Sequence, residues 1–240
     1  AIILESVGGR DMTVLDCEAI VAPTVAPKRG FIMFSGETVN TVVKGLTIKR
    51  CRACENDCRL EHYSGGNFGG AMYLARNPDG GGGSFAKIVD VVVDNCAAKS
   101  AGAFYILSPS NPTFEQVSIR DTNCPLSIHS AGLTWKNGEV QDCSCDGALI
   151  KATFASGSIT GVVFKNPAHV YRQIGYVTSS FLLHSCTFFR TDDSTKPVIE
   201  IKRASHAPVG QPGGTLNLVD NTYQNTNAVV SEMTLNNRIL

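Results

Sequence analysis

The chain has 240 residues, of which 43% are hydrophobic, and 21 Lys and Arg are balanced by 21 Asp and Glu. That length suits one large all-β domain or two small ones. The neutral balance argues against a nucleic-acid binder, which needs a basic face, and no apolar run approaches the roughly 18 residues of a membrane span. The chain opens AIILES, with neither an initiator Met nor a basic-then-apolar leader, and is read as a processed chain or a piece cut from a longer protein.

Taken in order, Met12–Cys17 (MTVLDC) predicts a first strand and Arg29–Phe34 (RGFIMF) its companion, with the proline-bearing VAPTVAPK between them. Val43–Cys51, VKGLTIKRC, then aligns with Ile88–Cys96, IVDVVVDNC. Leu46 matches Val91, Ile48 matches Val93 and Cys51 matches Cys96, with the period-2 alternation of a strand buried on one face. Further copies start at Phe114, Trp135, Ile159, Leu183 and Leu218. Their inward pairs are Val117/Ile119, Gly138/Val140, Val162/Phe164, Cys186/Phe188 and Asn221/Tyr223. A second short strand follows each copy: GGAMYLA, AGAFYIL, PLSIHSA, GALIKAT, HVYRQIG, PVIEIKR and AVVSEMT.

The copies start 45, 26, 21, 24, 24 and 35 residues apart, so the period lies in the twenties, and the longer intervals hold insertions. Strands at such a period without helices predict a solenoid, because one unit cannot bury its inward row until the next is stacked on it. The expected fold is all-β: a right-handed, single-stranded parallel β-helix of about eight coils. At one strand spacing per coil it would be about 40 Å long. Polar corner residues should form a further ladder, Asn95, Asp121, Asp142, Asn166 and Asn225, since Asn and Asp tolerate left-handed backbone. The chain reads as a single domain, 1–240, cut from a larger protein, with insertions at 52–68 and 75–85. Open ends of such a stack need caps. With no capping helix at Ala1 or Leu240, neighbouring domains or protein partners are expected there.

Nine cysteines are many for a cytosolic protein. Cys51, Cys54, Cys58, Cys96, Cys143 and Cys145 are disulfide candidates, and the odd total leaves at least one thiol over. A zinc site on Cys51, Cys54, Cys58 and His62 is the competing reading, but no second half-site is evident. The run DGGGGS from Asp79 lacks the Gly-Lys-Ser/Thr ending of a phosphate loop, so no nucleotide or other cofactor is expected.

The pairs VKGLTIKRC…GGAMYL and IVDVVVDNC…AGAFYI resemble the repeats of the pectin-lyase-like superfamily, and in particular those of polymorphic outer membrane proteins. Those carry a Gly-Gly-Ala-aliphatic motif after an Asn-bearing strand. It is intact here at Gly69–Met72 and partial at Ala101–Phe104 and Gly147–Ile150. The resemblance implies a β-helix and leaves function open, because the superfamily mixes polysaccharide lyases, hydrolases and epimerases with adhesins and rods.

Two functional readings follow. On the outward row of the first strands, Asp94 falls beside Arg120 and no two carboxylates stack, so that face lacks the acid pair of a glycosidase. This favours a non-catalytic extracellular or cell-surface module, acting as a structural scaffold or an adhesion or assembly element, with the insertions as contact sites. The rival is a carbohydrate-active enzyme, a lyase, hydrolase or epimerase on a polysaccharide. Its candidate catalytic residues are Asp192, Asp193, Lys202, Arg203 and His206, and Trp135 or Tyr171 could stack on sugar rings.

Overall fold

A computed structural model of the chain describes residues 2–18, 29–53, 68–76, 82–145, 148–165, 171–175, 180–189, 198–203, 215–224 and 230–232. For 171–175, 201–203 and 230–232 it describes the backbone alone. The described residues are all-β. Three short strands come first: β1 (Ile3–Glu5), β2 (Val14–Asp16) and β3 (Phe31–Met33). Long and short strands then alternate: β4 (Val42–Lys49), β5 (Met72–Leu74), β6 (Lys87–Asp94), β7 (Phe104–Leu107), β8 (Thr113–Arg120), β9 (Leu126–His129), β10 (Gly132–Gln141), β11 (Ile150–Thr153), β12 (Ser156–Lys165) and β13 (Tyr171–Gly175). In the last two repeats the long strand is split, giving β14 (Ser180–His184) and β15 (Thr187–Phe189), β16 (Ile199–Arg203), β17 (Thr215–Val219) and β18 (Thr222–Gln224), then β19 (Val230–Glu232).

These strands fall into two sheets, and every pairing in both is parallel. One sheet runs β1-β4-β6-β8-β10-β12-β14-β17, with β2 beside β4 and β15 between β12 and β18. The other runs β3-β5-β7-β9-β11-β13-β16-β19. Sequence order is therefore spatial order, and the chain alternates between the sheets. The arrangement is compatible with a β-helix-like fold.

The register follows the sequence alignment position by position. Leu46 pairs with Val91 and Ile48 with Val93; Val140 pairs with Ile119 and Phe164, and Phe188 with Tyr223. Inward rows become buried ladders because each side chain has its equivalent from the next repeat at the spacing of hydrogen-bonded strands. One runs Ile48, Val93, Ile119, Val140, Phe164 and Phe188, all at 0–1% exposure. Aromatic rings pack both along and between ladders: Phe114 lies 6.0 Å from Trp135 and Phe164 5.1 Å from Phe188 within their rows, while Phe104 lies 4.5 Å from Phe114 and Trp135 6.5 Å from Phe164 across rows. Trp135 is wholly buried in this row, with its Nε1 donating to the Asn137 carbonyl at 2.9 Å, so it offers no platform for a sugar ring.

The third residue of each sequence copy has left-handed backbone. Gly45, Asp90, Gln116, Asn137, Gly161, Ser185 and Asp220 all have positive φ, between 50° and 70°. A second left-handed column ends the long strands at Arg50, Asn95, Asp121 and Asp142. This is the expected polar corner, extended by an Arg; Asn166 and Asn225 lie outside the described residues. Side-chain amides tie the corners together. Asn123 Oδ1 accepts from the Ala98 N–H at 3.0 Å and its Nδ2 donates to the Ala98 carbonyl at 2.9 Å. Asn221 does the same with the Cys186 N–H and the Leu183 carbonyl at 2.8 and 2.9 Å.

The cysteine expectation needs correction. Cys51 and Cys145 are in disulfides, but with Cys17 and Cys124. Cys96 and Cys143 are free and buried, as is Cys186. The reason lies in the ladder: Cys51 is taken by the preceding repeat, and Cys96 instead accepts from the Cys51 N–H at 3.3 Å, with its thiol 3.5 Å from the Asp94 carbonyl. Cys143 likewise turns its thiol to the Gln141 carbonyl at 3.2 Å. Bonded to Cys17, Cys51 is no zinc ligand. Cys54 and Cys58 lie outside the described residues, as does His62.

Candidate functional site

The outer face of the long strands carries paired opposite charges. Asp94 is 8% exposed and lies 3.1 Å from Arg120 and 3.7 Å from Lys49. Glu139 is paired with Lys165 and Asp16 with Arg50. Stacking in parallel register sets like positions side by side, and alternating the charge sign between repeats makes each contact attractive. No carboxylate stands next to another along this row, Thr47/Lys49, Val92/Asp94, Ser118/Arg120, Glu139/Gln141, Val163/Lys165.

The second sheet presents a different face. In β7 the residues Phe104 and Ile106 are buried, which turns Tyr105 and Leu107 outward. In β9 and β11 the same alternation turns out Ser127 and His129, then Lys151 and Thr153. Tyr73 of β5 stacks on Tyr105, with parallel rings 5.7 Å apart, and Phe68 stacks on Tyr105 at 4.4 Å. Arg29 closes the shelf. Its guanidinium carbon is 5.2 Å from the Tyr73 ring centre, while Nη2 donates to the Phe68 carbonyl and Nε to the Gly69 carbonyl, both at 2.9 Å. A cation over a ring face is attracted by the ring quadrupole, so Arg29 holds both the shelf and the end of the 52–68 insertion.

The Gly-Gly-Ala motif places this shelf. Gly69 has φ +65°, and a Cβ there would lie 2.3 Å from the Met72 carbonyl oxygen. A Cβ on Gly70 would meet the Ala97 and Gly102 carbonyl oxygens at 2.5 Å. Only glycine lets the chain turn into β5 at this distance from the next repeat.

Beside the shelf is a cavity of about 260 Å³. Phe68, Tyr105 and Leu126 form its apolar wall; Lys99, Lys151 and His129 bring cationic or titratable nitrogen; Ser100, Ser127 and Thr153 bring hydroxyls. Ala148 and the Cys124–Cys145 disulfide complete it. Burial, and next the neighbouring Tyr73, push the Tyr105 phenol above its ordinary value, so it stays a neutral hydroxyl at physiological pH. The described lining contains no carboxylate. The described lining offers an anionic or hydroxyl-rich ligand cations, hydroxyls and aromatic faces, and holds no carboxylate pair among the described residues.

Of the enzyme candidates, Asp192, Asp193 and His206 lie outside the described residues. Lys202 and Arg203 end β16, where the backbone alone is described. By register Lys202 pairs with Ile174, and Ile174 with Thr153, so Lys202 shares a row with the cavity's Thr153 and His129. In the neighbouring row Lys151 pairs with Arg172, and Arg172 with Glu200. Residues Tyr105, Ser127, His129 and Lys151 were not singled out from sequence. Their signal was present: they are the outward positions of the second strands, readable from the same alignment that ordered the first. The 75–85 insertion also behaves differently from a projecting loop at its end, where Ser84 is fully buried and its N–H donates to Ser110 Oγ at 3.0 Å.

Among the described residues there is no cluster of metal-binding side chains and no helix long and apolar enough to cross a membrane. No protein-family model, curated protein or solved structure matches the chain.

Proposed function

We propose that the chain is a right-handed, single-stranded parallel β-helix of about eight coils, of the pectin-lyase-like kind, serving as a non-catalytic extracellular or surface-associated module for adhesion or assembly. The observation that carries this is the pattern of the outer faces. The long-strand face uses its charges in pairs, and the described lining of the second-sheet cavity consists of cations, hydroxyls, aromatic rings and apolar groups with no acid among them. Such a lining supports holding an anionic polymer more than cleaving it. The two disulfides among the described residues support an oxidising, extracellular setting. The partner surface would be the cavity with the insertion that ends at Phe68.

The test is to incubate the protein with acidic polysaccharides and measure retention and products separately. Retention without unsaturated or reducing-end products is expected, weakened in Lys151→Ala and in Lys99→Ala. A specific observation keeps the enzyme reading in play, namely the alignment of Lys202 with the cavity row. Product formation that disappears in Asp192→Asn or Lys202→Ala would replace the adhesion reading with a lyase or hydrolase.

A further inference from the structure

The two disulfides among the described residues stand in different surroundings. Cys17 is bonded to Cys51, which is fully buried in the core. Cys124 and Cys145 are only partly buried, and both stand in the wall of the second-sheet cavity with Lys99, Lys151 and His129. Disulfide exchange begins when a thiolate attacks one sulfur and the other leaves as a thiolate. Cations favour both halves of that step: they gather the incoming anion and stabilise the outgoing one. Lys99 and Lys151 bring two ammonium groups to the cavity that this disulfide lines.

The backbone supplies an independent observation. Cys124 has φ +39° and is the one cysteine with left-handed backbone among the described residues. Asn and Asp visit that region because a short polar side chain can hydrogen-bond locally. A bridged cysteine has no such group, so the surroundings must hold it. The Cys124 N–H donates to the Ser144 carbonyl at 2.7 Å, and its carbonyl accepts from the Gly102 N–H at 3.0 Å. Residues held in this way gather at sites that react or switch. The same backbone contacts, with Asn123 bridged to Ser144 and β9 paired to β11, join the two repeats without using the disulfide. The bridge can therefore open while the repeats stay in register.

We propose that Cys124–Cys145 is a thiol-exchange site for small anionic thiols that enter the second-sheet cavity. The incoming thiolate bonds to one Sγ, the Sγ–Sγ bond breaks, and its electron pair leaves on the other Sγ as a thiolate. A second small thiolate then displaces the protein sulfur from the mixed disulfide. One protein disulfide is reduced to two thiols, two small thiols are oxidised to their own disulfide, and no other oxidant or reductant takes part. The site belongs to the cavity and does not depend on the adhesion reading.

The test treats the full chain at low salt with glutathione, whose net charge is negative, or with cysteamine, whose amine is cationic, at equal thiolate concentration. Samples are quenched by alkylation and mapped by mass spectrometry. Cys124 and Cys145 should open well before Cys17 and Cys51, and about tenfold faster with glutathione than with cysteamine. The β-sheet circular dichroism spectrum should persist throughout. Lys99→Gln/Lys151→Gln changes two exposed positions, so the fold should tolerate it, and it should abolish the preference for the anionic thiol. Cys17–Cys51 opening as fast overturns the proposal, as does opening only together with loss of the β-sheet spectrum. Equal rates with the two thiols, or a preference that survives in the lysine variant, overturn it as well. Polysaccharide retention is measured on the untreated chain: retention without exchange overturns this site alone, and exchange without retention overturns the adhesion reading alone.

Discussion

Gly138 shows how narrow the choice is at single positions. It stands in an inward row where Val117 and Val162 flank it, yet its φ is +128° and a Cβ would lie 1.9 Å from the Val117 carbonyl oxygen. The contact is with backbone, which cannot rotate away, so Gly138→Ala must disrupt the β8–β10 pairing. We expect a variant that is insoluble or melts far below wild type, measured by thermal denaturation of the soluble fraction. Asn123 fails more gently. Its amide satisfies both the N–H and the carbonyl of Ala98 across two repeats. Removing it leaves those groups to weaker partners, at about 1–3 kcal/mol by urea denaturation. A loss below the error of the measurement would mean that water replaces the amide without cost.

At the scale of elements, the inward ladders set both stability and chemical reactivity. Phe164 is 1% exposed and packed between Trp135 and Phe188, so Phe164→Ala opens a large cavity and should cost about 3–5 kcal/mol. The buried thiols report on the same packing. Burial, the largest cause in each case, pushes the thiols of Cys96 and Cys143 from 9.0 up to about 12. Between those values the unfolded chain has lost protons that the folded chain keeps, so stability is full below about pH 9 and falls as pH rises toward about 12. Peptide mapping after alkylation should find Cys96, Cys143 and Cys186 unlabelled in the native protein at pH about 8, below the range in which their thiolates form, and labelled once it is denatured. Labelling of Cys96 in the native state would mean that the corner opens locally. Much of this element-level order was legible beforehand, because alternation and the repeat period together determine which residue lies on which. Leu46 on Val91 and Phe164 on Phe188 needed no coordinates. The left-handed backbone at the third residue of each copy was missed, although its column reads Gly, Asp, Gln, Asn, Gly, Ser and Asp, because that residue interrupts a strand pattern without ending it. The disulfides were half legible. Alignment put Cys51 over Cys96, but a ladder offers each cysteine a neighbour on both sides, and sequence does not say which one bonds.

On the scale of the whole molecule, the candidate site exists only because distant segments converge on one face. Phe68 reaches Tyr105 from the end of an insertion, and Lys99, Ser127 and Lys151 come from three successive repeats. Strand periodicity places each residue on a face but says nothing about the return path of an insertion, which is why the cavity was not read from sequence. The Cys124–Cys145 disulfide joins two of those repeats at the cavity wall and closes a sequence separation of 21. In the loop-entropy account a closure of that length restricts the unfolded chain by about 3 kcal/mol. Its removal should act twice, on the stability of the stack and on the shape of the cavity. The paired substitution Cys124→Ala/Cys145→Ala separates the two effects. We expect a lower melting temperature together with weaker retention of an acidic polysaccharide at a temperature where the variant is fully folded. If the ligand is anionic and held by Lys99 and Lys151, added salt must weaken retention by wild type in a graded way, because screening shortens the reach of both charges. The variant should lose affinity at every salt concentration yet keep the same slope, since the lysines remain. A variant that melts lower but binds with wild-type affinity would place the ligand away from the disulfide wall, with the first search farther along the Lys151 row, at the positions of Arg172 and Glu200.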